Sequence, residues 1–267
     1  GSIFSNLLLV LGSCFFFGGL KIKEQKYNST FATASMALLA LSSVALVLPT
    51  PFAQYYEVDD EDVLKISRLS SLALIFTYGQ LLFFQLYTHA KFFHDEDDED
   101  AQLPFPVGLG GLTLITYIIS VLSDYLVESL DGFCSESGIS KTFVGLIILP
   151  IVGNAVEHIT AVSVAMKDKM DLAIGVAIGS SVQISLFVAP LTVLIGWSMG
   201  RDMTLNFPPF ETTLFILSII IVAICISYPR SNWLEGSLLI TTYILVAVGF
   251  WHEKVAKYQT DGMPSEL

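Results

Sequence analysis

The feature that most constrains this chain is a succession of apolar blocks, each about twenty residues long, separated by short polar stretches. An α-helix rises ~1.5 Å per residue, so about twenty apolar residues cross the ~30 Å hydrocarbon core of a bilayer. Inside that core every backbone N–H and C=O must be satisfied by protein, which makes the helix the natural spanning element. A soluble domain carries about 25% charged residues; here 14% of 267 residues are charged and 53% are hydrophobic. The pattern predicts an all-α polytopic membrane protein. We read eight spans: Gly1–Leu20, Phe31–Phe52, Ser67–His89, Val107–Val127, Ser140–Met166, Asp171–Met199, Phe210–Tyr228 and Trp233–His252.

Charge narrows the function. The net charge is −12, with only 13 Lys and Arg and no basic run, so nucleic acid is excluded as a partner on electrostatic grounds. Cys14, Cys134 and Cys225 are scattered, without the spacing of a disulfide framework or a zinc site. Lys21, Lys23 and Lys26, then Lys167 and Lys169, then Arg230 fall in three loops that eight spans would put on one side. The positive-inside rule makes that side cytosolic. The polar segment 91–106 divides the chain into three spans and five, and its acidic run belongs to the same side.

Span five holds Pro150-Ile151-Val152-Gly153-Asn154-Ala155-Val156-Glu157-His158. Glu157 is the one carboxylate read as lying well inside a span; Asp124, Glu128, Glu211 and Glu235 lie nearer helix ends. An acid in hydrocarbon costs roughly 3 kcal/mol on insertion scales, so it marks a functional site or a hydrogen bond between helices. Asn154, Glu157 and His158 stand at i, i+3 and i+4 and share a helix face. Pro150 frees a backbone carbonyl, and Gly153 weakens the helix just before the polar cluster. Carboxylate, amide carbonyl, freed carbonyl and serine hydroxyls are oxygen ligands, the set that calcium takes six to eight of. Softer metals want several His or Cys, and His89, His94 and His252 lie at or beyond span ends. His158 then reads as a proton partner or polar neighbour of Glu157, or as a packing histidine.

Two spans carry a shared signature. Gly1-Ser2-Ile3-Phe4-Ser5-Asn6 opens span one, and Gly179-Ser180-Ser181-Val182-Gln183 lies in span six. Matching polar interruptions in internal repeats point to a transporter's binding site. Gly175 and Gly179 let another helix approach closely, which predicts spans five and six in contact, with Ser180 and Gln183 near Glu157. The six acids Asp95, Glu96, Asp97, Asp98, Glu99 and Asp100 read as a solvated linker that could also gather calcium loosely. They are no EF-hand, because the sixth position is Asp100 instead of Gly and the twelfth is Pro106 instead of Glu.

On these residues the chain resembles the vacuolar calcium/proton exchangers of the calcium/cation antiporter superfamily. Gly153 to His158, Met166 to Asp171 and Gly175 to Gln183 look like the family's second α-repeat; Gly1 to Gly12 resembles the second helix of the first; the acidic run resembles the acidic helix between halves. The resemblance covers essentially the whole chain and is to fungal vacuolar members. It implies an inverted-repeat fold of eleven helices, of which these eight would be the last. Residues 1–90 would end the N-terminal half, 91–106 form the acidic cytosolic linker, and 107–267 form the five-helix C-terminal half. It implies a secondary antiporter that moves cytosolic calcium into an acidic vacuolar lumen in exchange for protons, by alternating access at a buried glutamate. Glu157 would bind calcium or protons, lined by Asn154, Ser180, Ser181 and Gln183, with Ser2 and Ser5 from the first repeat. The matching carboxylate is expected upstream of Gly1, so Glu157 would be half of a site and this stretch alone would not transport. The alternatives are a sodium-coupled calcium exchanger and a nontransporting calcium-binding membrane protein. No nucleophile or zinc set accompanies Glu157 and His158, so an enzyme is not expected, nor any cofactor beyond calcium as the transported ion. The expected partners are calcium, protons and the bilayer; a homo-oligomer is left open.

Overall fold

The computed structural model describes residues 1–56, 59–89 and 104–261. The chain is helical apart from one two-residue strand pair. We number the elements α1 (Ser2–Lys21), β1 (Gln25–Lys26), α2 (Thr30–Tyr55), α3 (Asp60–Thr88), α4 (Phe105–Ser137), α5 (Lys141–Gly153), α6 (Ala155–Ala165), α7 (Met170–Ser198), α8 (Pro209–Cys225), β2 (Arg230–Ser231) and α9 (Trp233–Asp261). Among the described residues six helices are long and apolar enough to cross a membrane, and α5 with α6, bent by 57°, makes a seventh if the pair is one span. α8 has 17 residues, about 25 Å of helix, less than the full hydrocarbon core.

Local chemistry sets the ends. Asn28 caps α2 by accepting from the Thr30 amide at 2.9 Å, and Ser140 caps α5 by accepting from the Phe143 amide at 3.1 Å. Gly138, at φ 70°, closes α4 in the left-handed conformation that glycine takes without penalty. Helices α3, α4 and α9 run well past the expected bounds, α9 to Asp261 instead of His252. α3 starts at Asp60 instead of Ser67, because Asp60, Glu61 and Asp62 occupy a first turn that favours anions. α4 continues to Ser137 instead of Val127, since only Gly138 stops it.

α1 lies at the centre of the bundle and buries Leu7, Leu8, Leu11 and Phe15. It packs closely on α9: a Cβ at Gly12 would lie 2.9 Å from Leu239 Cβ and 3.1 Å from the Gly236 carbonyl. Phe4 meets Phe215 and Phe250 edge-on. A second pairing joins α3 to α7, where Tyr78 stacks on Phe187 at 4.9 Å and the Arg68 guanidinium lies 5.0 Å from the Trp197 ring. α4 stands apart, with Cys134 its only buried residue. The loops after α1, between α6 and α7, and between α8 and α9 meet at one end of the bundle, tied by the β1–β2 pair and by Gln25.

Candidate functional site

The break between α5 and α6 begins with Pro150. Lacking an N–H, proline cannot bond the carbonyl four residues back, and the turn before it, Val144–Ile148, widens into a π-helix. Pro190 follows the π-helical turn Ile184–Val188 in α7 in the same way. The Gly145 and Leu146 carbonyls lie against Gly1, where an added Cβ would come within 2.7 and 2.8 Å of them. The chain then leaves helical geometry at Asn154 (φ −104°, ψ 18°) and restarts as α6. Glu157 falls in the first turn of α6, where orphan backbone N–H groups favour an anion.

Opposite the break, α1 carries a π-helical segment, Ser5–Val10. The π segments of α1 and α7 both end at a valine nine positions beyond the glycine of the shared Gly-Ser signature, at Val10 and Val188. Polar side chains of α1 cross to the other two helices here. Ser5 Oγ lies 3.3 Å from His158 Nε2, and Asn6 Nδ2 donates to Ser180 Oγ at 2.8 Å. Ser5, Asn6 and Ser181 are buried, and Ser181 donates to the Ala177 carbonyl at 3.0 Å. The Asn154 Nδ2 atom is buried with no hydrogen-bond partner among the described residues. Turned over, the same amide presents an oxygen ligand at that place.

The structure therefore brings Ser5, His158 and Ser180 together, and adds Asn6, which the sequence reading quoted in the motif without assigning it a role. Its signal was a polar residue next to Ser5 in an otherwise apolar helix.

Two expectations are corrected. Glu157, expected buried, is exposed in the described chain. α6 turns His158, Ala161 and Ala165 inward, at i, i+3 and i+7, and Glu157 lies about 100° around the helix from His158. Nor does Ser180 or Gln183 hydrogen-bond Glu157 among the described residues; Ser180 takes Asn6 instead. The second correction concerns the glycines. α7 buries Ala173 and Ala177, while Gly175 and Gly179, two residues along and so on the opposite face, line a cavity of about 400 Å³ with Phe31, Tyr78, Gln85 and Gln183. Ser2 is half-buried. The run Asp95–Asp100 lies outside the described residues. Among those described, no three His, Cys, Asp or Glu side chains gather as a metal site.

The profile of the sodium/calcium exchanger protein family matches residues 1–87 and 107–252. The vacuolar calcium ion transporter of Schizosaccharomyces pombe is 40% identical over 262 residues, covering 94% of this chain and 63% of its own length. The Ca(2+)/H(+) antiporter of Synechocystis is 41% identical over 271 residues, covering 94% of this chain and 73% of its own. Among solved structures, native YfkE matches with a TM-score of 0.80 and 32% identity, over 94% of this chain and 72% of that one. The chain thus spans under two thirds of the yeast transporter's length.

Proposed function

The chain belongs to the sodium/calcium exchanger protein family, and we propose that it forms the last eight helices, from the end of the first repeat through the second, of a secondary antiporter exchanging calcium for protons. The observation that carries this reading is the polar crossing of Ser5 to His158 and Asn6 to Ser180 between helices, beside the Asn154 break. Its similarity to calcium transporters and calcium/proton antiporters supports the choice of ion and coupling. Glu157 binds calcium or protons in turn. Asn154, Ser180, Gln183, Ser2 and Ser5 line the site, Ser181 stands behind them, and His158 accompanies the proton. Calcium tolerates this mixed oxygen set; magnesium would demand stricter geometry.

In this reading α8 and the α5–α6 pair both cross, giving eight spans of an eleven-helix inverted repeat divided at 1–90, 91–106 and 107–267. The contrast between two glycines supports it. Gly1 is covered by the Gly145 and Leu146 carbonyls and Pro150, whereas Gly179 has nothing within 4 Å and borders the open cavity. That cavity is the natural seat of a counterpart to α5, whose carboxylate would face Glu157. The loop end of the bundle is cytosolic, and the vacuolar membrane is the proposed location, in line with the yeast relative.

The test is uptake of radioactive calcium into vesicles with an imposed pH gradient, using the complete protein. Glu157→Gln is expected to reduce uptake to background while the protein remains inserted. Uptake at wild-type rates would remove Glu157 from the site, and uptake driven by sodium that survives a proton uncoupler would reassign the coupling ion.

A further inference from the structure

The sequence reading found no basic patch. The fold makes one. Lys21 ends α1, Lys23 and Lys26 follow it, Lys167 and Lys169 lie between α6 and α7, and Arg230 precedes α9. These three loops are knitted together. β1 pairs with β2, placing Lys26 opposite Arg230. Tyr27 donates its hydroxyl to the Tyr228 carbonyl at 2.6 Å and its amide to the Pro229 carbonyl at 3.3 Å. Burial, with Glu235 and Cys225 adding to it, pushes the pKa of that phenol above its ordinary value and keeps it a donor. Gln25, itself buried, donates to the Ala165 carbonyl at 2.8 Å and to Asp168 Oδ1 at 3.0 Å. The Asn28 amide donates to the Asp171 carboxylate. Asp168, at φ 63°, closes the end of α6 and leaves Lys167 and Lys169 exposed on either side of it.

Of the acids here, Glu24 pairs with Arg230 at 3.1 Å, while Asp168 and Asp171 accept from Gln25 and the Asn28 amide, so only two carboxylates keep an unpaired charge beside the lysines. Five exposed lysines remain on one face of a chain whose net charge is −12.

A cluster of lysines would attract any anion. A second observation selects among them. The patch stands on exposed apolar surface at the ends of two membrane-length helices. Phe17 and Leu20 are exposed in the last turns of α1, and Trp233 and Leu234 in the first turn of α9. The backbone of Gly19 lies against that of Trp233, so these side chains border one surface. Tyr228, also exposed, adds a third aromatic ring, two residues before Arg230. Aromatic rings and cations at a helix end are the furniture of the headgroup layer. We propose that this corner seats an anionic phospholipid, its headgroup on Lys23, Lys26, Lys167 and Lys169 and its acyl chains along Phe17, Leu20 and Trp233. A free phosphate would use the lysines but leave the apolar surface without a role.

The proposal does not rest on transport, and neither does its test. The complete protein is reconstituted in phosphatidylcholine vesicles containing either brominated phosphatidylserine or brominated phosphatidylcholine, and tryptophan quenching is measured. The difference between wild type and Trp233→Phe isolates the Trp233 share. One surface cation is worth about fivefold in anionic-lipid affinity, so brominated phosphatidylserine should quench Trp233 at least fivefold more effectively at equal mole fraction. The combined Lys23→Gln, Lys26→Gln, Lys167→Gln, Lys169→Gln variant should abolish the preference, and the corresponding Lys→Arg variant should keep it. Equal quenching by the two lipids overturns the proposal. So does a preference that survives neutralisation, is lost in the arginine variant, or is reversed by added inorganic phosphate.

Discussion

Asn6 and Ser180 meet at 2.8 Å between α1 and α7. In such a setting the hydrogen bond is worth about 1 kcal/mol, and orphaning either partner costs about 1–3 kcal/mol. Asn6→Ala is expected to destabilise the protein in detergent by about 1–2 kcal/mol, read as a lower melting temperature. Because the two groups serve each other, Ser180→Ala should cost little more once Asn6 is gone, with a coupling of about 1 kcal/mol in a double-mutant cycle. Additive losses would show that the pair does not act as a unit. Asn6 was visible in the sequence as a polar residue, but its partner was not. The small residues of span six place Ser180 near Glu157 when only spacing is read; the crossing of α1 gives it to Asn6. Helical spacing tells which residues share a face and says nothing about which helix that face meets.

At the scale of elements, Pro150 and Gly153 predict a weakened helix within one span; the structure breaks it at Asn154 and divides the work between them. Pro150 produces the π turn; the bend comes at Gly153–Asn154. An added Cβ at Gly153 meets nothing within 4 Å. Gly153→Ala should therefore leave stability unchanged or raise it by about 0.5–1 kcal/mol, while slowing calcium uptake by stiffening the hinge. Melting temperature and initial uptake rate, measured side by side, separate the two effects; parallel losses would mean that Gly153 is needed for packing instead. Gly236 presents the opposite case. A Cβ there would run into the backbone of Phe16 and the Gly12 carbonyl, and backbone cannot move aside cheaply. Gly236→Ala is expected to cost about 1–3 kcal/mol and to lower the melting temperature. Gly175 and Gly179 look the same in sequence, as small residues four apart, yet they line a cavity. Only the packing partner distinguishes the two uses of glycine.

For the whole molecule, the orientation can be tested directly. Cys14, Cys134 and Cys225 are all buried, so new surface cysteines should label over a low background. In sealed vesicles with the cytosolic face outward, Lys23→Cys and Lys167→Cys should react with an impermeant maleimide, and Asp60→Cys only after permeabilisation; the reverse pattern would invert the assignment. The sequence by itself determined that the chain is a bundle of membrane-length helices, because a bilayer sets helix length and backbone satisfaction so strictly that composition alone carries the message. It also placed Glu157 and His158 on one helix, just past a weak point at Pro150 and Gly153. Tertiary structure decided the pairings: Ser5 with His158, Asn6 with Ser180, and Glu157 turned out of the packed face of α6. It also decided that lysines separated by some 140 positions form one surface, joined through Gln25 to Asp168. The physical reason is the same in each case. Within one helix, geometry follows from residue spacing, whereas contacts between helices depend on how ends are tied and which faces can approach, and these follow from loops, breaks and glycines acting together.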